Sequence, residues 1–189
     1  MSYSIADKLP LQAASDTTLG TVLWTTIMNI TAGAASYGLV SLAGGATSNY
    51  IIARNFAFSV PTNGVIDGAF FIVLASAGVT GVIRDASVFL VGSTGVIGTS
   101  DGAIRSVWAT SNSNYLFGGS SITWGLTLTP GVVNANSFGL ALLAVNIGGG
   151  VGTTAGGIAT VEGIIHYSQT NPLLGRTVTR NIALGVGRL

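Results

Sequence analysis

Residues 49–60, NYIIARNFAFSV, indicate the fold class of this chain more clearly than any other segment. Phe56 and Phe58 alternate with small or polar residues, which places their side chains on one face of an extended chain. The next four residues, Pro61-Thr62-Asn63-Gly64, are of the kinds that tight turns prefer. Residues 65–75 are then almost continuously apolar, as in a strand that is buried on both faces. Together the two segments predict a β-hairpin.

The rest of the chain has the same character. Short runs rich in β-branched and aromatic residues are separated by Gly, Pro, Asn and Ser. No segment longer than ten residues combines the apolar spacing of an amphipathic helix with charged residues on the opposite side. Further strands are predicted at residues 21–29, 36–42, 86–92, 104–109, 122–129, 138–147 and 158–168. This number of strands with Gly-rich connections favours an all-β fold, an antiparallel β-sandwich with jelly-roll-like connections.

The length of 189 residues fits one domain with extended ends. Residues 1–19 show little periodicity and are predicted to be an N-terminal arm. Residues 20–168 form the predicted β-sandwich domain, and residues 169–189 a C-terminal arm or added strand. Apolar residues alternate around Arg180 in this last segment, which suits a strand at a sheet edge. That edge belongs either to a neighbouring subunit or to the same domain.

Charge and cysteine content exclude several classes of protein. Charged residues make up 7% of the chain, against about 25% in an average soluble protein. The net charge of +1 provides no field to attract nucleic acid or anionic lipid. Residues 17–53 and 106–161 lack charged residues, but small polar residues interrupt both runs, so no membrane-spanning helix is expected. No Cys is present for disulfides, and no signal peptide is predicted.

The set of reactive side chains is too small for an enzyme. His166 is the single His, whereas a zinc site needs three or four His, Cys or carboxylate ligands. Strand alternation places His166 opposite Ile165 and Tyr167, facing solvent or a subunit contact. Three carboxylates lie at predicted strand edges or turns, where Asp favours backbone hydrogen bonds: Asp67, Asp85 and Asp101. We therefore predict no catalytic residues, no metal site and no cofactor.

One glycine motif resembles a nucleotide-binding sequence. Residues 150–155, GVGTTA, match the dinucleotide-binding pattern and follow a predicted strand. That fold requires a helix to begin within the motif, whereas Gly156 and Gly157 follow and Ile158 resumes a strand. Residues 148–157 are therefore interpreted as a flexible hairpin loop.

Aromatic residues, Gly and Asp follow one another in a distinctive order through the middle of the chain. The segments are 56–61 (FAFSVP), 65–68 (VIDG), 84–91 (RDASVFLV), Trp108, 115–119 (YLFGG), Trp124-Gly125, 134–136 (NAN), 138–140 (FGL) and 161–167 (VEGIIHY). In this order they resemble a β-sandwich domain of tailed-bacteriophage virion proteins, over roughly residues 20–168. Val161-Glu162 departs from the pattern, which has an Asp before the last strand.

The resemblance implies a structural protein located in the virion. Its expected role is that of a capsid decoration or cement protein, a neck protein, or a tail or fibre component. The expected partners are other copies of the chain, other virion proteins and host surface glycans.

The scarcity of charge independently favours assembly. Outer sheet faces made of Ser, Thr, Asn, Gly and aliphatic residues are a solubility liability in a free monomer. Burial between subunits removes that liability. A symmetric homo-oligomer is therefore expected, and a trimer if the protein belongs to a fibre or spike.

The alternative function is a carbohydrate-binding receptor-recognition domain of a tail fibre or spike. Such a domain exposes aromatic rings beside polar side chains, and Trp108, Tyr115 and Trp124 are the candidates, although core packing is the favoured role for all three. A bacterial adhesion or surface-layer protein is a third class, and the lack of a predicted signal peptide disfavours it.

Overall fold

A computed structural model of the chain describes residues 2–17, 20–33, 36–98, 100–149 and 152–169. These residues form ten strands, a 3-10 helix at Ile27–Thr31 and one short α-helix, α1, at Pro130–Val133. The strands are β1 Ser2–Lys8, β2 Gln12–Asp16, β3 Gly38–Leu42, β4 Tyr50–Arg54, β5 Gly64–Ala77, β6 Ile83–Gly92, β7 Gly95–Val96, β8 Ser113–Gly118, β9 Gly139–Asn146 and β10 Thr154–Gln169. The predicted all-β class is confirmed. No helix in these ranges is long and apolar enough to cross a membrane.

The strands form two five-stranded antiparallel sheets that enclose one hydrophobic core. Sheet A has the order β1-β10-β5-β8, and β3 pairs with a separate part of β10. Sheet B has the order β2-β4-β9-β6-β7. Apart from β6 and β7, consecutive strands lie in opposite sheets. The chain therefore passes back and forth between two layers, which confirms the predicted jelly-roll-like β-sandwich.

Strand β10 organises sheet A. Along one edge it pairs first with β3, where Gly156 opposes Val40, and then with β1, where Ser168 opposes Ser2. Along the other edge it pairs with β5 over nearly its whole length. Three strands from earlier in the chain thus pair with one late strand.

Aromatic rings fill the centre of the core. Phe71 of β5 is fully buried, and its ring centroid lies 5.6 Å from that of Phe56 and 6.4 Å from those of Trp124 and Phe138. Phe56 also stacks on Phe58 at 5.4 Å. Edge-on and offset arrangements at such distances are favourable for aromatic pairs. This cluster connects both sheets.

The predicted hairpin between residues 49–60 and 65–75 is wrong, because the two strands lie in opposite sheets. β4 pairs with β2 and β9, whereas β5 pairs with β10 and β8. Asn55 and Ala57 have positive φ angles of 61° and 51°, a conformation that ends the strand. The chain then crosses from sheet B to sheet A. The aromatic residues of this crossing segment are nevertheless buried, as their alternation predicts.

The predicted burial of both faces of residues 65–75 is also wrong. Positions along β5 alternate between buried and half-buried. Phe71 and Val73 face the core, while Phe70 and Ile72 point to the other side of the sheet. The described part of the chain contains only two layers, so one face of β5 stays at the molecular surface.

Three other predicted strands are irregular in the structure: residues 21–29, 104–109 and 122–129. A residue with positive φ interrupts each of them, Thr26 at 51°, Arg105 at 54° and Trp124 at 59°. The β-branched and aromatic residues that suggested strands there are instead used for packing, because β propensity depends on context.

Residues 1–19, predicted as an N-terminal arm, lie mostly within the sandwich. β1 is an edge strand of sheet A and β2 is an edge strand of sheet B. The QAASD sequence of β2 has weak strand propensity, so its conformation comes from pairing with β4 rather than from local preference. At the other end, Gln169 completes β10, and residues 170–189 of the predicted C-terminal arm lie outside the described residues.

The predicted hairpin loop at residues 148–157 is wrong as well. The segment joins β9 in sheet B to β10 in sheet A, and β10 already begins at Thr154. Gly156 is part of the strand, and a Cβ there would lie 3.2 Å from Ile83 and 3.3 Å from Trp108. The glycine permits close packing on the core and does not mark a turn.

Candidate functional site

The described residues contain no group of three or more His, Cys, Asp or Glu side chains that could hold a metal ion. His166 is half-buried on β10, opposite Gly68 of β5. Its neighbour Ile165 is fully buried in the core, so the His166 side chain points away from the core, as alternation predicts.

Two of the carboxylates hold a loop against sheet B. Asp101 Oδ1 accepts hydrogen bonds from the backbone N–H groups of Val88 and Ala103, at 2.9 and 3.0 Å, and Asp101 Oδ2 pairs with Arg105 at 2.8 Å. Asp85 Oδ2 accepts from the backbone N–H of Arg105 at 2.8 Å. Bonding of Asp to the backbone is the role that the sequence predicts for these residues. Asp85 differs from the prediction in lying within β6, at a bulge.

Asp85 is the most unusual of these groups because it is fully buried and its Oδ1 has no hydrogen-bond partner among the described residues. Burial raises the pKa of the Asp85 carboxyl above its ordinary value, although hydrogen bonds from the backbone and the charge of Arg105 act in the opposite direction. The folded state therefore favours the protonated carboxyl. This group's contribution to stability is largest below its unfolded pKa and is lost as pH rises through the folded pKa.

Replacement Asp85→Asn is expected to remove this pH dependence. The free energy of unfolding of the wild type, minus that of the variant, should fall as pH rises from below the ordinary Asp pKa and then level off. Urea unfolding of both proteins across a series from about pH 3.5 to 8 measures this difference. A difference that is constant or rises with pH would contradict the assignment.

The three aromatic residues considered for glycan contact are buried. Trp108 is 1%, Trp124 2% and Tyr115 7% exposed. Trp124 Nε1 donates a hydrogen bond to the carbonyl of Ala69 at 3.0 Å, and the Tyr115 hydroxyl accepts one from the N–H of Ala109 at 2.7 Å. Core packing, the favoured role for these side chains, is confirmed. None of them offers a ring face to a ligand.

The outer face of sheet A carries an apolar patch, here named the β5 face, made of Phe70, Ile72, Leu74, Leu116 and Ile164. Cross-strand pairing brings these side chains together, since Phe70 opposes Ile164, and Ile72 opposes Leu116. Leu116 is 51% exposed and the others are half-buried. A solvent-facing side of an antiparallel sheet normally carries polar residues.

The outer face of sheet B also carries apolar residues, but several of them are buried against one another. Tyr50, Val91, Ala141 and Leu143 form a small buried cluster there. Burial raises the pKa of the Tyr50 hydroxyl, partly offset by a hydrogen bond with Ser87.

A cleft opens at one end of the outer face of sheet A, and we name it the Tyr37 cleft. It has a volume of about 260 Å³ and is lined by Tyr37, Leu39, Ser76, Thr110 and the main chain and small side chains of residues 155–157. A Cβ on Gly157 would lie 3.1 Å from Cδ1 of Tyr37. The absence of a side chain at Gly157 thus allows the tyrosine ring to lie close to the strand.

The position of Tyr37 is fixed at both ends of the residue. Its backbone carbonyl accepts hydrogen bonds from Thr26 Oγ1 at 2.7 Å and Asn29 Nδ2 at 3.0 Å. Its hydroxyl accepts from Asn112 Nδ2 at 2.8 Å and lies 3.1 Å from Asn112 Oδ1. The side chain therefore spans from β3 toward the segment that precedes β8.

A second cleft of about 310 Å³ adjoins the Tyr37 cleft, and the two share Leu39 and Ala155. Val22, Leu23, Thr25 and Ser41 also line it. Sequence reasoning missed both clefts, because Tyr37 and Leu39 lie within one predicted strand and Gly157 within a predicted loop. The aromatic residue next to glycines on a second strand is the signal that would have found the first cleft.

No family model and no curated protein sequence matches the chain. Among solved structures, the second N-terminal cellulose-binding domain of Cellulomonas fimi β-1,4-glucanase C is similar at 13% identity and a TM-score of 0.39, over 88% of this chain and 97% of that domain. A structure described as CBM4 is similar at 12% identity and a TM-score of 0.31, over 86% and 89% of the two chains. These scores are too low to establish a common fold.

Proposed function

We propose that the chain is a non-catalytic structural protein that assembles into a symmetric homo-oligomer through the β5 face. The observation that carries this proposal is the apolar character of that face, with Leu116 51% exposed on β8, its edge strand. Apolar side chains are grouped there on three adjacent strands. Contiguous apolar patches on a soluble protein mark sites of association.

The partner proposed for this face is a second copy of the chain. Glu162 of β10 opposes Ile72 of β5 and brings a negative charge to the patch. His166 lies nearby, also on β10. The face thus lacks a block of like charge that would repel its own copy. Two-fold contacts between identical patches, and closed rings of subunits, are the common modes of homo-oligomer assembly.

The virion setting rests on the sequence resemblance and on the scarcity of charge. The surfaces of a virion protein are largely covered by neighbouring subunits, so such a protein can remain soluble as part of the particle with few charged residues on its surface. Within that setting, the proposed role is that of a capsid decoration, neck or tail component. Immunogold labelling of purified particles would locate the protein, and labelling confined to the host cell would oppose this setting.

Assembly through the β5 face is tested by the replacement Leu116→Lys. Because about half of the Leu116 side chain is already exposed, the replacement should lower the free energy of unfolding by no more than about 0.5 kcal/mol. A lysine buried without a partner in the interface should raise the dissociation constant of the oligomer about 100-fold or more. Light scattering after size-exclusion chromatography, over a series of micromolar concentrations, measures the change.

The matched control is Val79→Lys, which introduces the same charge at a 44% exposed position in the turn after β5. This variant should assemble like the wild type. A wild-type protein that is monomeric at about 50 μM, or equal behaviour of the two lysine variants, would exclude assembly through the β5 face.

The second candidate function is carbohydrate binding. Burial of Trp108, Tyr115 and Trp124 removes the side chains considered for that role. The Tyr37 cleft is the observation that favours it instead, because it combines an aromatic ring with hydroxyl and amide groups at the molecular surface.

A further inference from the structure

We infer that the Tyr37 cleft binds a neutral saccharide, with one sugar ring placed against the side chain of Tyr37. This inference specifies a site and a ligand class for the second candidate function, and it is independent of assembly through the β5 face. The ligand class follows from the charge, the shape and the hydrogen-bonding groups of the cleft.

The lining of the cleft is uncharged. Among the described residues that line it, or line the adjoining cleft, none is Asp, Glu, Lys, Arg or His. A phosphate, carboxylate or ammonium ligand would lose its hydration there without gaining an opposite charge. A ligand recognised at this place is therefore electrically neutral.

Polar and apolar groups lie side by side in the cleft. Ser76 and Thr110 contribute hydroxyl groups, the Asn112 amide lies at the Tyr37 hydroxyl, and Tyr37 and Leu39 contribute apolar surface. A sugar ring has the complementary arrangement, with C–H groups on its faces and hydroxyl groups around its edge. A purely apolar ligand would leave the Ser76 and Thr110 hydroxyl groups without water or partners.

Hydrogen bonds within the protein hold Tyr37 in place. Hydrogen bonds from Thr26 and Asn29 fix its backbone carbonyl, and Asn112 fixes its hydroxyl. Binding thus requires little additional ordering of the ring, which reduces the entropic penalty of association. A ring that only filled space in the core would not need to lie in an open cleft.

The cleft also indicates the length of the ligand. Leu39 and Ala155 line both the Tyr37 cleft and its neighbour, so the two compartments, of about 260 and 310 Å³, lie side by side. Each compartment has room for about one sugar ring. An oligosaccharide that occupies both compartments should bind more tightly than a monosaccharide, for which a dissociation constant on the order of 1 mM is expected.

Isothermal titration calorimetry of the full chain tests this inference. The probes are neutral oligomers of glucose, mannose, galactose and N-acetylglucosamine, each four to six units long, together with one sialylated oligosaccharide. At least one neutral oligomer should bind with a dissociation constant below about 1 mM. Tyr37→Ala should weaken that binding at least tenfold, and Ser76→Leu, which fills the cleft while keeping Tyr37, should abolish it.

Val65→Ala is the control, since Val65 is 64% exposed on β5, lines neither cleft and is not part of the β5 face, so this variant should bind as the wild type does. Circular dichroism of each variant identifies any loss of fold, and Ser76→Leu provides the test if Tyr37→Ala does not fold. Binding of only the sialylated probe, unchanged binding by Ser76→Leu, or no binding of any neutral oligomer at about 5 mM would overturn the inference. Light scattering on the same samples reports assembly separately.

Discussion

Replacing Phe71 with Ala is expected to lower the free energy of unfolding by about 3–5 kcal/mol. Phe71 is fully buried on β5, and its ring contacts those of Phe56, Trp124 and Phe138. Removing the ring leaves a cavity between rigid aromatic neighbours that belong to both sides of the sandwich. A domain with a total stability of roughly 5–15 kcal/mol would lose a large part of it.

The matched control is Phe70→Ala, the adjacent residue of the same type on the opposite face of β5. Because Phe70 is half-buried, this replacement should lower stability by about 1 kcal/mol. Urea unfolding, followed by tryptophan fluorescence at a concentration where the chain is monomeric, measures both variants. Equal losses of stability in the two variants would contradict the difference in burial between Phe71 and Phe70.

Gly118→Ala is the second replacement with a large expected effect, a loss of about 2–5 kcal/mol. Gly118 has a φ of 81°, a conformation that is unfavourable by about 1–2 kcal/mol for a residue with a Cβ. The new Cβ would lie 2.2 Å from the carbonyl oxygen of Ala69 and 2.9 Å from Trp124 Nε1. It would therefore disrupt the hydrogen bond between these two groups, and overpacking of this kind lowers stability by about 1–3 kcal/mol more.

Gly45→Ala separates the conformational penalty at positive φ from the steric clash of the new Cβ. Gly45 has a similar φ of 80°, but a Cβ there would have no neighbour within 4 Å. Only the conformational penalty of about 1–2 kcal/mol is expected at this position. Thermal unfolding measures the stability of the two variants. A loss of stability in Gly45→Ala as large as that in Gly118→Ala would show that the clash at position 118 is absent.

The sequence predicts the layers of this fold better than their connections. Residues 36–42, 86–92, 138–147 and 158–168 are all strands or parts of strands, as expected. Alternation identifies which side chains are buried, but it does not contain information about which strand is the partner. The crossing between β4 and β5 depends on the positive φ angles of Asn55 and Ala57. Asn adopts this conformation more readily than most residues, but Ala rarely does, so local propensity does not predict the crossing.

The candidate sites are likewise predicted only where they depend on a single segment of the sequence. The scarcity of charge predicts outer sheet faces of Ser, Thr, Asn, Gly and aliphatic residues, and the exposed Leu116 on the β5 face is one such aliphatic residue. The Tyr37 cleft, in contrast, depends on Asn112 and Gly157, which are far from Tyr37 along the chain. Only the pairing of β3 with β10 brings Gly157 to Tyr37, so inspection of any single segment misses the cleft.

The position of β10 has a consequence for the synthesis of the protein. β1, β3 and β5 all pair with β10, so sheet A cannot be completed until the ribosome has translated residue 169. At roughly 5–20 residues per second, β1 waits on the order of ten seconds or more for its partner. Unpaired strand edges and apolar faces are open to other nascent chains during that interval. Sheet A is thus completed only after the synthesis of β10, and slower translation prolongs the aggregation-prone stage.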